Sequence, residues 1–249
     1  MELQGLVRYL DEYLDIGGFA DRSNNGLQIE GRSEVNRIGF AVDACQEAFD
    51  KAAAAKVDML IVHHGLFWSE PLMVTGYHKR RLERALLSGF SVYGAHLPLD
   101  AHPVVGNNVE MTRMLGLQAI GGFDNHQGRD IGIVAKAESP LPLAELQRRL
   151  SAALGAPAAI WPFRQQVQVV GVMSGSARSA LANAIAAGLD GLVCGEMDHM
   201  TYNTAKDAGF GVVLGGHFLT ETLGLKALAR HLEREKGLDT VWIDAPTGL

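Results

Sequence analysis

The sequence predicts an α/β fold made of two pseudo-equivalent, duplicated halves packed around a shared cleft. Three observations predict it. Short apolar runs alternate with helical patterns, one series of such elements occurs twice, and the unusual polar residues fall just after the apolar runs. Alternation of this kind implies parallel strands whose faces are covered by helices.

Taken in order, "MELQGLVRYLDEYL" places Leu3, Leu6, Val7, Leu10 and Leu14 on one face of an amphipathic helix. Its acidic residues exclude a signal peptide, and no apolar run approaches the ~18 residues of a membrane span, so a cytoplasmic location is expected. "DRSNNGLQIEG", from Asp21, is a turn-rich loop feeding a short strand. A strand at 37–42, an alanine-rich helix at 45–56, a buried strand at 58–62, a helix near 80–87 and a strand at 90–94 follow. The second series has a strand at 167–173, a helix at 177–187, a strand at 190–194, a helix at 202–208 and a strand at 210–214.

The two series also agree residue by residue. "IGFAVDACQEAFDKAAAAKVDMLIVHHG" from Ile38 lies over "VGVMSGSARSALANAIAAGLDGLVCGEM" from Val170 without a gap. Asp58 then falls on Asp190, His63 on Gly195 and His64 on Glu196. "GFSVYGAHLPLD" lies over "GFGVVLGGHFLTE" with one extra residue in the second copy, bringing His96 onto His217 and Asp100 onto Glu221. Each copy thus ends a strand with H-x-x-x-D or H-x-x-x-E. The expected division is residues 1–124 as the first half, completed by 215–249, and 125–214 as the second, with 121–166 connecting them.

Composition narrows the function. Hydrophobic residues make up 47% and charged residues 20% of 249, an ordinary globular balance. A formal charge of −6 argues against binding a phosphate backbone, so nucleic acid is not an expected partner. The basic run His78-Lys79-Arg80-Arg81 is read as a solvated helix start. Two distant cysteines, Cys45 and Cys194, imply neither a disulfide framework nor a thiolate metal site.

Ligands of parallel α/β sheets bind beyond the carboxyl ends of the strands. His63, His64, His96, Asp100, Glu196, His217 and Glu221 all fall there. Imidazole and carboxylate together suit zinc, iron, manganese, cobalt or nickel. One catalytic zinc uses about three protein ligands, so seven candidates suffice for two divalent ions and a dinuclear cleft. Adjacent histidines on a strand point to opposite faces, so either the chain turns at Gly65 or one of the pair supports the other. Ser174 and Ser176 of "MSGSA" have no evident base partner and are read as a turn and helix cap. Phe67 and Trp68 either line the cleft mouth or pack in the core.

"DRSNNGLQIEG", "IVHHGLFW", "YGAHLPLDAHPVVGNN", "CGEMDH" and "GGHFLTE" together resemble the successive motifs of the GTP cyclohydrolase 1 type 2 homologue family, also called NGG-interacting-factor-three-like. The resemblance runs from about Asp21 to the C-terminus. It implies a toroidal homohexamer of two-part α/β subunits with a dinuclear metal centre, in the compact bacterial form without the inserted domain. Carried over by motif, the metal ligands are His63, His64, Asp100, His217 and Glu221, with His96, Glu196 and His199 as neighbours of the centre. "MSGSA" has fewer glycines than the family's usual turn.

The expected function is a metal-dependent hydrolase that activates a bound water toward a small phosphorylated or heterocyclic substrate, with a nucleotide suggested by the family name alone. Glu196, His96 or His199 would serve as general acid or base. The alternative is a non-enzymatic metal-binding protein, a metallochaperone or regulatory scaffold.

Overall fold

A computed structural model describes residues 1–249. Along the chain lie α1 (Leu3–Tyr13), β1 (Gly26–Ile29), β2 (Arg37–Asp43), α2 (Gln46–Ala54), β3 (Met59–His64), α3 (Gly76–Ser88), β4 (Ser91–Gly94) and α4 (Leu97–Asp100). Then come α5 (Asn107–Met114), β5 (Gln118–His126), β6 (Arg129–Pro142), α6 (Leu143–Leu154), β7 (Ala159–Trp161) and β8 (Gln166–Ser176). The series closes with α7 (Ala180–Ala186), β9 (Gly191–Glu196), α8 (His199–Asp207), β10 (Gly211–Leu214), α9 (His217–Lys236) and β11 (Asp239–Trp242). None of the helices is long and apolar enough to cross a membrane.

Two compact units emerge: residues 1–99 with 225–246, and residues 100–224 with 247–249. This differs from the expected division at 124/125 and 214/215. Residues 107–114 and 118–126 group with the second unit because α5 packs on β8, and β5 pairs with β6.

The first unit holds a five-stranded sheet in the order β1-β4-β3-β2-β11. β4, β3, β2 and β11 are parallel, and only the edge strand β1 runs antiparallel. β3 is an unbroken apolar run because both its faces are covered, and Met59 to Val62 are fully buried. α1 buries Leu3, Leu6, Val7 and Leu10, the predicted stripe, each contributing roughly 1.5–3 kcal/mol of apolar burial.

The second unit holds a six-stranded sheet in the order β5-β6-β8-β9-β10-β7. Only β8, β9 and β10 are parallel; β5, β6 and β7 pair antiparallel at the two sides. The segment expected to be a connection is therefore largely sheet and helix. Its hairpin turns at Gln127 and Gly128, both left-handed (φ 50° and 95°). β5 carries no apolar run, since all but two of its residues are exposed, and so it gave no strand signal.

The duplication is visible in the hydrogen bonds. Asp58 Oδ2 accepts from Asn36 N (2.9 Å) and Arg37 N (3.0 Å), and Asp190 Oδ2 accepts from Gln168 N (2.8 Å) and Val169 N (2.9 Å). Ala95 N donates to Val62 O in the first unit, as Gly215 N does to Cys194 O in the second. The ungapped alignment breaks at one place. His64 pairs with Asp43, whereas Glu196 pairs with Ser176, because β8 bulges between Met173 and Ser176.

Each of these two aspartates satisfies a pair of backbone donors at a strand start. Asp58→Ala and Asp190→Ala are expected to lower unfolding free energy by about 2 kcal/mol each in denaturant titration. The corresponding asparagine variants, which keep an acceptor, are expected to lose less, and the exposed Glu70→Ala to stay within about 0.5 kcal/mol of wild type.

Candidate metal centre

In the first unit, β3 ends on His63 and His64, and His96 lies two residues beyond β4. One ligand atom from each of these three residues lies within 4.8 Å of the other two. Their ring centroids are 4.8 Å (His63–His64), 5.1 Å (His63–His96) and 5.6 Å (His64–His96) apart. His63 is fully buried, and the other two are half-buried.

Each ring is held by its Nδ1. His63 Nδ1 donates to Ala95 O (2.8 Å), His64 Nδ1 to Asp43 Oδ1 (2.9 Å) and His96 Nδ1 to Asp21 Oδ2 (2.9 Å). In the neutral ring, an N–H donated through Nδ1 puts the lone pair on Nε2, the arrangement of metal-bound histidine. Burial works to raise the Asp21 carboxyl, but hydrogen bonds from His96, Asn25 and the Ser23 amide outweigh it and hold the group well below the usual carboxylate range.

The chain positions both adjacent histidines without a left-handed turn, since Gly65 is absent from the positive-φ residues. Gly65 is required for space: a Cβ there would collide with the Gln28 amide, whose Oε1 accepts from Leu66 N (2.7 Å). Trp68 stands edge-on to His96 at 5.2 Å, its Nε1 donating to Gly65 O, while Phe67 packs on the apolar core.

In the second unit, His217 opens α9 and Glu221 lies one turn on, so their side chains meet on one helix face. His217 Nε2 is 3.0 Å from Glu221 Oε1, and His217 Nδ1 is 3.1 Å from Glu196 Oε1. Glu196 thus stands to His217 as Asp43 stands to His64. Gly175 makes room for the pair. Its φ is +57°, and a Cβ on it would overlap Glu221 Oε1 and sit 3.3 Å from His217 Nε2. Gly195, the counterpart of His63, is walled by Gly175 O and Thr220 Oγ1, which leaves no space for a side chain there.

Asp100 belongs to a buried polar network. Its Oδ1 accepts from Ser174 Oγ (2.7 Å) and Asn107 Nδ2 (2.8 Å). Asn108 Oδ1 takes Ser174 N (2.7 Å) and its Nδ2 reaches Ile131 O, while Asn107 Oδ1 takes Gly224 N (2.6 Å). Ser174 is therefore neither a helix cap nor a nucleophile; it fixes a carboxylate. His199 is exposed in the first turn of α8, outside both groups. Burial, reinforced by Glu196, pushes the Cys194 thiol up, and Cys194 belongs to neither histidine group.

Sequence reasoning found the histidines and carboxylates but gave no role to Asp21, Asp43, Asn107 or Asn108, and it read Ser174 only as part of a turn and cap. Asp43 carried a signal, since it directly follows the strand expected at 37–42. The donor set fits a divalent metal: imidazoles with engaged Nδ1 and short carboxylates, without a thiolate.

A model of the family described as Duf34/NIF3 (NGG1p interacting factor 3) matches residues 1–247. A Pyrococcus abyssi protein named GTP cyclohydrolase 1 type 2 homolog is 42% identical over 251 residues, covering 100% of both chains. A Pseudomonas aeruginosa protein of the same name is 36% identical and covers 98% of this chain and 97% of its own. Among solved structures, TTHA1606 from Thermus thermophilus superposes with a TM-score of 0.92 at 41% identity, covering both chains fully. Protein ybgI superposes at 0.93 with 32% identity, again over both whole chains.

Gly175→Ala is expected to displace Glu221 and to strain the backbone by about 1–2 kcal/mol. Bound metal, measured by elemental analysis, is expected to fall in this variant and to be unchanged in Ser176→Ala.

Proposed function

The chain belongs to the Duf34/NIF3 family, and from that premise we propose that it binds two divalent metal ions and hydrolyses a small phosphorylated or heterocyclic substrate with them. The observation that carries the proposal is the repeated tethering of histidine Nδ1, which leaves Nε2 as the ligating atom at His63 and His64. His63, His64, Asp100, His217 and Glu221 are the proposed ligands. Neutral imidazoles cannot offset two dications, whereas Asp100 and Glu221 bring two negative charges.

Ions held by these residues would lower the pKa of a coordinated water toward ~7 and would polarise the scissile group. The protein's own part is orientation. Ser174 and Asn107 hold Asp100 through Oδ1, which fixes the direction of its carboxylate. Glu196 holds His217 and acts as a positioning residue rather than as the acid or base. The name carried by the relatives makes purine nucleotides the first substrates to test.

Elemental analysis of the purified protein is expected to give two metal equivalents per chain, with less in Asp100→Ala and Glu221→Ala. A screen of GTP, other nucleotides and phosphoesters is expected to show turnover that chelation abolishes. Two equivalents with no turnover in any class would instead make the protein a metal carrier or scaffold.

A further inference from the structure

We infer that His96 is itself a metal ligand through Nε2, completing a three-imidazole site within the first unit, and that Asp21 is the residue that positions it. This rests on the metal-binding reading above but changes its ligand set, in which His96 stood outside.

His96 is nearly as close to the His63-His64 pair as those two are to each other, with centroids at 5.1 and 5.6 Å against 4.8 Å. The three donor atoms lie within 4.8 Å of one another. Donors sharing a tetrahedral zinc at 2.0–2.1 Å lie about 3.3 Å apart, so closing on an ion needs only a side-chain adjustment.

The loop before β1 builds a socket for this ring. Asp21 is buried, and both its oxygens lie within 3.0 Å of His96 Nδ1. Ser23 N (3.0 Å), Asn25 Nδ2 (3.0 Å) and Leu97 N (3.1 Å) fix the carboxylate from three further directions. Asn25 Oδ1 in turn accepts from His96 N (2.8 Å), so the same loop grips both the backbone and the ring of this residue.

A purely structural histidine needs one such partner and no neighbouring imidazoles. Here a buried carboxylate sets the tautomer, and the remaining nitrogen shares its space with two other anchored rings. A cation is the ligand that makes three converging lone pairs favourable. Three imidazoles also prefer zinc, cobalt or nickel to magnesium or manganese, so this position should be the more selective of the two.

A crystal structure of the zinc-loaded wild-type chain, with the ion located by anomalous scattering, tests the inference. The expected result is His96 Nε2 at about 2.0–2.2 Å from one ion. A separation beyond about 3 Å, with an ion on His63 or His64, would overturn the role of His96 and leave the metal-binding reading intact. No ion at either histidine would overturn both. In solution, Asp21→Asn is expected to weaken zinc binding about 10–100-fold in competition with a chelator. His96→Gln is expected to weaken it at least as much, and Asp21→Glu to recover part of the loss. Unchanged affinity in folded Asp21→Asn and His96→Gln would contradict the inference, and the wild-type crystal decides it if neither variant folds.

Discussion

The tether on histidine Nδ1 is the constraint from which the rest of the site follows. A free imidazole rotates and exchanges tautomers, so it offers a metal two half-available nitrogens. An imidazole whose Nδ1–H is donated to a fixed acceptor offers one nitrogen in one direction. His63, His64 and His96 are held this way, by a backbone carbonyl in one case and by carboxylates in two, while His217 lies between two carboxylates, Glu196 at Nδ1 and Glu221 at Nε2. The acceptors come from different parts of the chain, and two of them stand at the carboxyl ends of interior sheet strands. Asp43 ends β2, Glu196 ends β9, and Asp21 lies in the loop before β1. In the order of cause, the parallel sheets place the acceptors, the acceptors orient the rings, and the rings define the site.

Duplication supplies the scaffold, and local crowding then makes the copies differ. The aspartates at the strand starts and the backbone bonds after the strand ends are the same in both units. At the place of His63 the second unit has Gly195, because Gly175 O and Thr220 Oγ1 occupy the volume a side chain would need. The bulge in β8 brings Gly175 and Ser174 to the strand end, where one yields space to Glu221 and the other binds Asp100. One unit therefore presents mainly imidazole and the other mainly carboxylate.

Much of this was legible in the sequence, for identifiable reasons. β3 announces itself by its unbroken apolar run, and the His-x-x-x-carboxylate pairs announce the strand ends by recurring in both copies. The motif resemblance agreed with the family that the whole chain matches. What could not be read depends on neighbours distant in sequence. β5 lies flat at a sheet edge with most residues exposed, so it has no periodicity to detect. Gly65 looked like a turn residue, yet its need for glycine comes from Gln28, on another strand. Asp21, Asn107 and Ser174 are ordinary polar residues until their partners 75, 7 and 74 positions away are known.

The proposed ligand role of these histidines depends on the acceptors that hold their Nδ1 atoms. Asp43 offers the cleanest test, since it touches His64 Nδ1 and is not itself a proposed ligand. The measurement is zinc affinity by chelator competition in Asp43→Ala, alongside thermal unfolding of the metal-free protein. The account predicts affinity about 10–100-fold weaker with the metal-free unfolding temperature nearly unchanged. Wild-type affinity in a folded Asp43→Ala chain would contradict it.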